Sequence, residues 1–140
     1  MKLTLDKFVY NEMDGTRRLL FENADSYLYV WIDDGHAFRA MQFIFDETAG
    51  AYMTVGRPLR KGVISGCPMN RTIKEERGDA GALAVMIGAI ETDVLTEMTA
   101  TLKRAAAAGE GAAFRLSGSE AAYIDGLPHS RRYATAQMPS

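Results

Sequence analysis

Asp33, Asp34 and His36 stand within four residues of one another, around Gly35. A carboxylate beside an imidazole can orient a general base or supply ligands to a cation. The same residues also serve a plainer purpose. Asp-Gly is a strong two-residue hairpin signal, and it leaves Asp33 and His36 as a cross-strand pair at an exposed tip. Because the turn accounts for the acidic residues without chemistry, His36 is kept as a binding candidate and no catalytic group is assigned.

Cys67, in Ser65-Gly66-Cys67-Pro68, is the second candidate. Neighbouring Arg and Lys would favour the nucleophilic thiolate, but a base is also needed, and only His36 and His129 could provide one. A lone cysteine is more often a small buried filler. One cysteine also excludes an internal disulfide and a zinc-thiolate cluster, which fits a reducing, cytoplasmic setting.

No metal or cofactor is expected. The acidic pairs Asp33/Asp34 and Asp46/Glu47 fall where turns need them, and the glycines at 56, 62 and 66 lack the spacing of a phosphate-binding loop. Arg57, Arg60, Lys61, Arg71, Lys74 and Arg77 make one stretch locally basic, yet Glu75, Glu76 and Asp79 offset much of it. Sixteen basic against eighteen acidic residues give a net charge of −2, so no global field draws the chain to nucleic acid.

The elements that would position a site centre on Ser26 to Gly56. Tyr27, Tyr29 and Trp31 alternate with Leu28, Val30 and Ile32, so both faces of this strand are apolar. With Asp34-Gly35 as a two-residue turn, Trp31 is expected opposite Phe38 and Tyr29 opposite Ala40. A five-residue connection, 46–50, then sets Phe43 beside Met53 and Gln42 beside Thr54. Leu28, Val30, Ile32, Met41, Phe43, Phe45, Met53 and Val55 form an aliphatic face. The other face carries Tyr27, Tyr29, Trp31, Phe38, Gln42, Tyr52 and Thr54 around a floor of Ala40 and Gly56.

Earlier in the chain, Asp14-Gly15 predicts a first hairpin with Tyr10 opposite Leu19 and Phe8 opposite Phe21. A fifth main strand is expected at 61–65 and a short helical turn from Asn70 through Glu76. One long helix is expected over 80–108, capped by Asp79, with the stripe Leu83, Ile87, Ile90, Val94, Met98 and Leu102 turned to the sheet. Its first half, apolar all round, is expected to be covered on more than one side. A last strand at Ala112, Phe114 and Leu116 follows, then a short helix opened by a Ser117/Glu120 capping box.

With 47% hydrophobic and 24% charged residues in 140, the chain reads as one domain over 1–133 and a frayed tail over 134–140, in which Arg131 to Tyr133 could dock. The longest apolar run, 80–90, is too short to span a bilayer, and the first ten residues lack a signal-peptide core.

The expected fold is therefore α+β: an antiparallel meander of four to five strands packed on one long helix, plus a small C-terminal strand and short helix. The expected function is noncatalytic binding or regulation through the aromatic face, on a protein partner, a second copy of the chain as a homodimer, or an apolar ligand. Two alternatives are a small enzyme with a pocket near His36/Asp33 or Cys67, and a weak nucleic-acid binder through Arg57 to Arg77.

Overall fold

Among the described residues the Tyr27–Ile32 segment is the fourth of ten strands in one mostly antiparallel sheet, where four to five were expected, and three helices accompany it in a mixed α+β fold. The computed structural model describes residues 1–46, 48–65, 72–76, 80–130 and 138–139. In chain order the elements are β1 (Lys2–Leu5), β2 (Val9–Asn11), β3 (Arg17–Glu22), β4 (Tyr27–Ile32), β5 (Phe38–Ile44), β6 (Ala49–Thr54), β7 (Arg60–Ser65) and β8 (Thr72–Glu76). Then come α1 (Ala80–Gly88), β9 (Glu91–Thr92), α2 (Thr96–Ala108), α3 (Gly118–Asp125) and β10 (His129–Ser130). Strands β2 to β8 lie in sequence order, with β10 parallel to β2 at the edge; β1 pairs antiparallel with β3 and parallel with β9.

The first strand is broken in two. The Asp6 carboxylate accepts from the Lys7 backbone N–H at 2.8 Å and from the Tyr10 hydroxyl at 2.6 Å, and this local bonding bends the chain out of the ladder between β1 and β2. At the following turn Glu12 N–H donates to the Thr16 carbonyl, so the loop is Met13-Asp14-Gly15, with Gly15 left-handed at φ 88°. The expected two-residue turn is thus one residue short. The shift places Arg18 opposite Tyr10, where Leu19 was expected. One residue of slip exchanges the faces: Leu19 and Phe21 enter the core and Arg18 goes to the opposite side.

The next two hairpins slip by two residues, which preserves the faces. Asp33 Oδ1 accepts from the N–H groups of Gly35 and Ala37, both at 2.9 Å, and His36 takes φ 65°, so the turn spans Asp33 to Ala37. Trp31 consequently faces Ala40 and Tyr29 faces Gln42, with an irregularity between Trp31 and Ile32. That irregularity turns Phe38 into the helix-covered core, where its ring stacks on Phe114 at 5.0 Å. The β5–β6 connection is tighter than five residues, because Phe45 N–H already bonds to the Ala49 carbonyl. Gln42 therefore meets Tyr52, and Ala40 meets Thr54.

The expected long helix is interrupted. After Gly88 the chain extends as β9 beside β1, Glu91 N–H donates to the Met1 carbonyl, and Asp93 Oδ1 accepts Leu5 N–H at 3.0 Å. Pairing with the free side of β1 outweighs helix continuation here, and α2 restarts after Leu95, which is left-handed at φ 57°. The apolar stripe survives the break: Leu83, Ile87, Ile90, Met98 and Leu102 are buried with Leu28, Val30, Ile32, Met41, Phe43 and Met53 in one core, and Val94 packs at its margin. Full encirclement of α1 does not occur, since Val85 is 75% exposed. Val55, expected on the aliphatic face, is also exposed.

Three more expectations change. The segment ending at Glu76 is strand β8, paired with β7, where a helical turn was expected. The expected strand at 112–116 is reduced to one isolated bridge, Ala37 with Arg115. Ser117 does cap α3 by accepting Glu120 N–H, but the Glu120 carboxylate turns away and accepts Glu97 N–H and Met98 N–H at the start of α2. It supplies the cap that Leu95 lacks. Gly109, left-handed at φ 79°, ends α2. Asp79, Asn70, Arg131, Arg132 and Tyr133 lie outside the described residues.

Candidate functional site

The sheet face opposite the helices is built in rows. One row runs Tyr10, Arg18, Trp31, Ala40, Thr54 across β2 to β6. The next runs Leu20, Tyr29, Gln42, Tyr52, Arg60 across β3 to β7. A third runs Glu22, Tyr27, Ile44, Gly50, Gly62, Glu75 across β3 to β8. Five of the expected site residues, Tyr29, Trp31, Gln42, Tyr52 and Thr54, are brought together here, with Tyr27 at the margin. Phe38 is in the other core, and His36 is at the hairpin tip. The small-residue floor is Ala40 with Gly50 and Gly62; Gly56 belongs to the exposed turn after β6.

Along β4 the rings form a ladder, Tyr27 to Tyr29 at 6.5 Å and Tyr29 to Trp31 at 5.9 Å, with planes 20° and 29° apart. Tyr29, Trp31, Ala40 and Ile44 are buried, and Leu20 and Met138 pack on them. Among the described hydrophobic side chains on this cluster, Met138 is the one from outside the sheet, and Pro139 beside it is also buried. The aromatic face is thus a second, smaller apolar layer under a segment of the chain's own last residues. Tyr27 remains 39% exposed beside it.

Two arginines flank this layer, four strands and so about 19 Å apart. Arg18 is only 3% exposed, with its guanidinium 4.8 Å from the centre of the Tyr10 ring and 5.1 Å from that of Tyr29. Glu12 Oε1 stands 3.4 Å from Arg18 Nε, an ion pair without hydrogen-bond geometry. Burial raises the Glu12 carboxyl above its usual range although Arg18 opposes this. Arg18 Nε and Nη1 and the Trp31 indole Nε1 are buried without a hydrogen-bond partner. Arg60 lies 4.4 Å from the Tyr52 ring centre, donates to Thr54 Oγ1 at 3.2 Å and stands 3.9 Å from Glu75. Burial raises the Tyr52 hydroxyl pKa.

Sequence reasoning placed Ile44 on this face with Gln42 and Tyr52, but missed Arg18 and Met138 as members of it. The signal for Arg18 was present in the alternation Thr16, Arg18, Leu20, but the one-residue error at Asp14-Gly15 hid it. Met138 carried no signal, because seven residues separate it from β10.

At the hairpin tip His36 Nε2 donates to Asp125 Oδ1 on α3 at 2.8 Å, and Arg17 Nη1 donates to the same oxygen at 2.8 Å. The hydrogen bond from His36, then that from Arg17, lowers the Asp125 pKa. Asp33 is occupied by the turn, so the expected Asp33/His36 pair is replaced by a latch between the hairpin and α3. Cys67, Arg71 and Arg77 lie outside the described residues, and among those described no three His, Cys, Asp or Glu side chains are grouped to hold a metal ion. Of the remaining basic stretch, Lys61 pairs with Glu76 in the β7–β8 ladder. Among the described residues no helix is long and apolar enough to cross a membrane.

A second concavity, about 530 Å³, opens between α2 and the end of β6 and is lined mainly by Val55 and the alanines at 105, 108, 112 and 113. Compared with protein-family models, with curated proteins and with solved structures, the chain gives no match.

Proposed function

We propose that the chain is a noncatalytic binding domain that acts through the aromatic sheet face, with a segment of another protein as its partner. The observation that carries this reading is the seating of Met138 on Tyr29, Trp31, Ala40 and Ile44. A sheet face that receives an apolar side chain from elsewhere in the chain can receive one from a partner segment. Tyr27, exposed at the margin, offers a first point of contact, and the stacked rings behind it offer amphipathic area with few rotatable bonds.

A selection from a display library of random seven-residue peptides tests this. Selected peptides are expected to change the emission of Trp31, the one tryptophan, and to lose affinity for Tyr29→Ala. Failure to select any peptide, or selection of peptides indifferent to Tyr29→Ala, would refute the reading. The mass in solution, taken alongside, separates this outcome from a second copy of the chain on the same face.

A further inference from the structure

We infer that the partner segment carries a carboxylate, received by Arg18 and Trp31 next to the place where Met138 sits; this rests on the binding role proposed for the face. Arg18 and Trp31 are direct register partners on β3 and β4, so their side chains emerge side by side. Together they present three buried N–H donors without an acceptor: Arg18 Nε, Arg18 Nη1 and Trp31 Nε1. Each such group is costly to leave buried and unsatisfied, and here three fall on two directly opposed residues. Glu12 answers the charge of Arg18 from 3.4 Å but takes no hydrogen bond from it. A carboxylate has two oxygens and about four acceptor positions, enough for a guanidinium edge and an indole N–H together. A carboxylate also makes shorter and stronger hydrogen bonds to a guanidinium than a neutral amide or hydroxyl does.

The neighbours fix the reading of the segment. The Arg18 guanidinium carbon lies 4.8 Å from the Tyr10 ring centre and 5.1 Å from that of Tyr29, and its Nε and Nη1 are closed to solvent. Trp31 is shared by both parts of the site: its ring belongs to the layer on which Met138 packs, and its N–H is a buried donor on the residue directly opposite Arg18 in the ladder. An incoming segment therefore places an apolar side chain where Met138 sits and an acidic side chain within a residue or two of it. The chain's own residues 138–139 occupy the apolar half, Met-Pro, and act as a competitor in cis. Their departure is the fraction of open state that any partner's apparent affinity is multiplied by.

The test uses the full chain, unaltered and as Met138→Ala, with synthetic seven-residue peptides built around Met-Pro. One glutamate stands at each flanking position in turn, with glutamine and lysine counterparts, and binding is read from Trp31 emission. At one position glutamate is expected to bind at least about tenfold tighter than glutamine and lysine more weakly still, a difference of about 1.4 kcal/mol or more between the first two. Met138→Ala is expected to tighten every peptide. Arg18→Gln should erase the glutamate preference; if that variant fails to fold, the glutamate–lysine contrast on the unaltered arginine decides alone. Equal binding of glutamate and glutamine peptides at all positions overturns the carboxylate and leaves the binding role standing. No binding by any peptide of the set overturns both.

Discussion

The guanidinium of Arg18 lies 5.1 Å from the centre of the Tyr29 ring, on a sheet face where Arg18 is 3% exposed. Its charge is countered within the described residues by Glu12, which is itself half-buried. Removing one member of such a pair leaves the other as an uncompensated buried charge. Arg18→Gln is therefore expected to lower the unfolding free energy by about 3 kcal/mol, and Arg18→Gln combined with Glu12→Gln to recover part of the loss. Urea unfolding of the two single variants and the double variant closes the cycle; additive losses would contradict the pairing.

Glu120 joins the last two helices. Its Oε1 accepts Met98 N–H at 2.8 Å and its Oε2 accepts Glu97 N–H at 3.2 Å, and the side chain is 9% exposed. A carboxylate at a helix N-terminus meets both unpaired donors and the positive end of the dipole. Glu120→Ala is expected to cost about 2 kcal/mol, and Glu120→Gln less, because one acceptor oxygen remains. Thermal unfolding followed by circular dichroism measures both; equal stability of all three chains would remove the capping role.

The latch at Asp125 responds to pH in one direction. His36 and Arg17 stabilise the ionised carboxylate, so its folded pKa lies below the ordinary value of 3.8. The contribution is present above the ordinary carboxylate range and is lost as pH falls through the lowered value. The stability gap between the unaltered chain and Asp125→Asn should be full at neutral pH and close in strong acid. The side chain is exposed, so the gap is small. A gap that widened on acidification would contradict the sign.

Gly111 sits against the β6 backbone. Its N–H donates to the Arg57 carbonyl, its carbonyl accepts from Gly56 N–H, and a Cβ there would overlap the Thr54 carbonyl oxygen. Because the obstacle is backbone on both sides of a bridge, Gly111→Ala is expected to destabilise by about 2 kcal/mol or more. Gly88→Ala, where a Cβ meets open space, is the matched control and should be neutral or slightly stabilising.

The division of the sheet into two faces was legible from alternation alone, and it survived because the two central hairpins slipped by two residues. A two-residue error returns each side chain to its own face, as with Trp31 moving from Phe38 to Ala40. The first hairpin slipped by one and so misplaced Arg18, the cation on which the candidate site turns. The break between α1 and α2 was hidden for a different reason. The stripe from Leu83 to Leu102 keeps helical spacing across it, and what stops the helix is the distant edge of β1, which local sequence does not announce. The candidate site was legible as aromatic residues on one face but not as a covered layer, since its cover, Met138, comes from far along the chain.

The separability of that cover is the central point, and acrylamide quenching of Trp31 fluorescence tests it most directly. One tryptophan gives one signal, and in the full chain it should be shielded. Met138→Lys places a charge of the same sign as Arg18 on the apolar cluster and is expected to raise the quenching constant several-fold while far-UV circular dichroism and the urea midpoint stay close to the unaltered chain. Quenching that stays unchanged, or that rises only as the whole chain unfolds, would mean that the aromatic face is ordinary core and not a surface that opens to a partner.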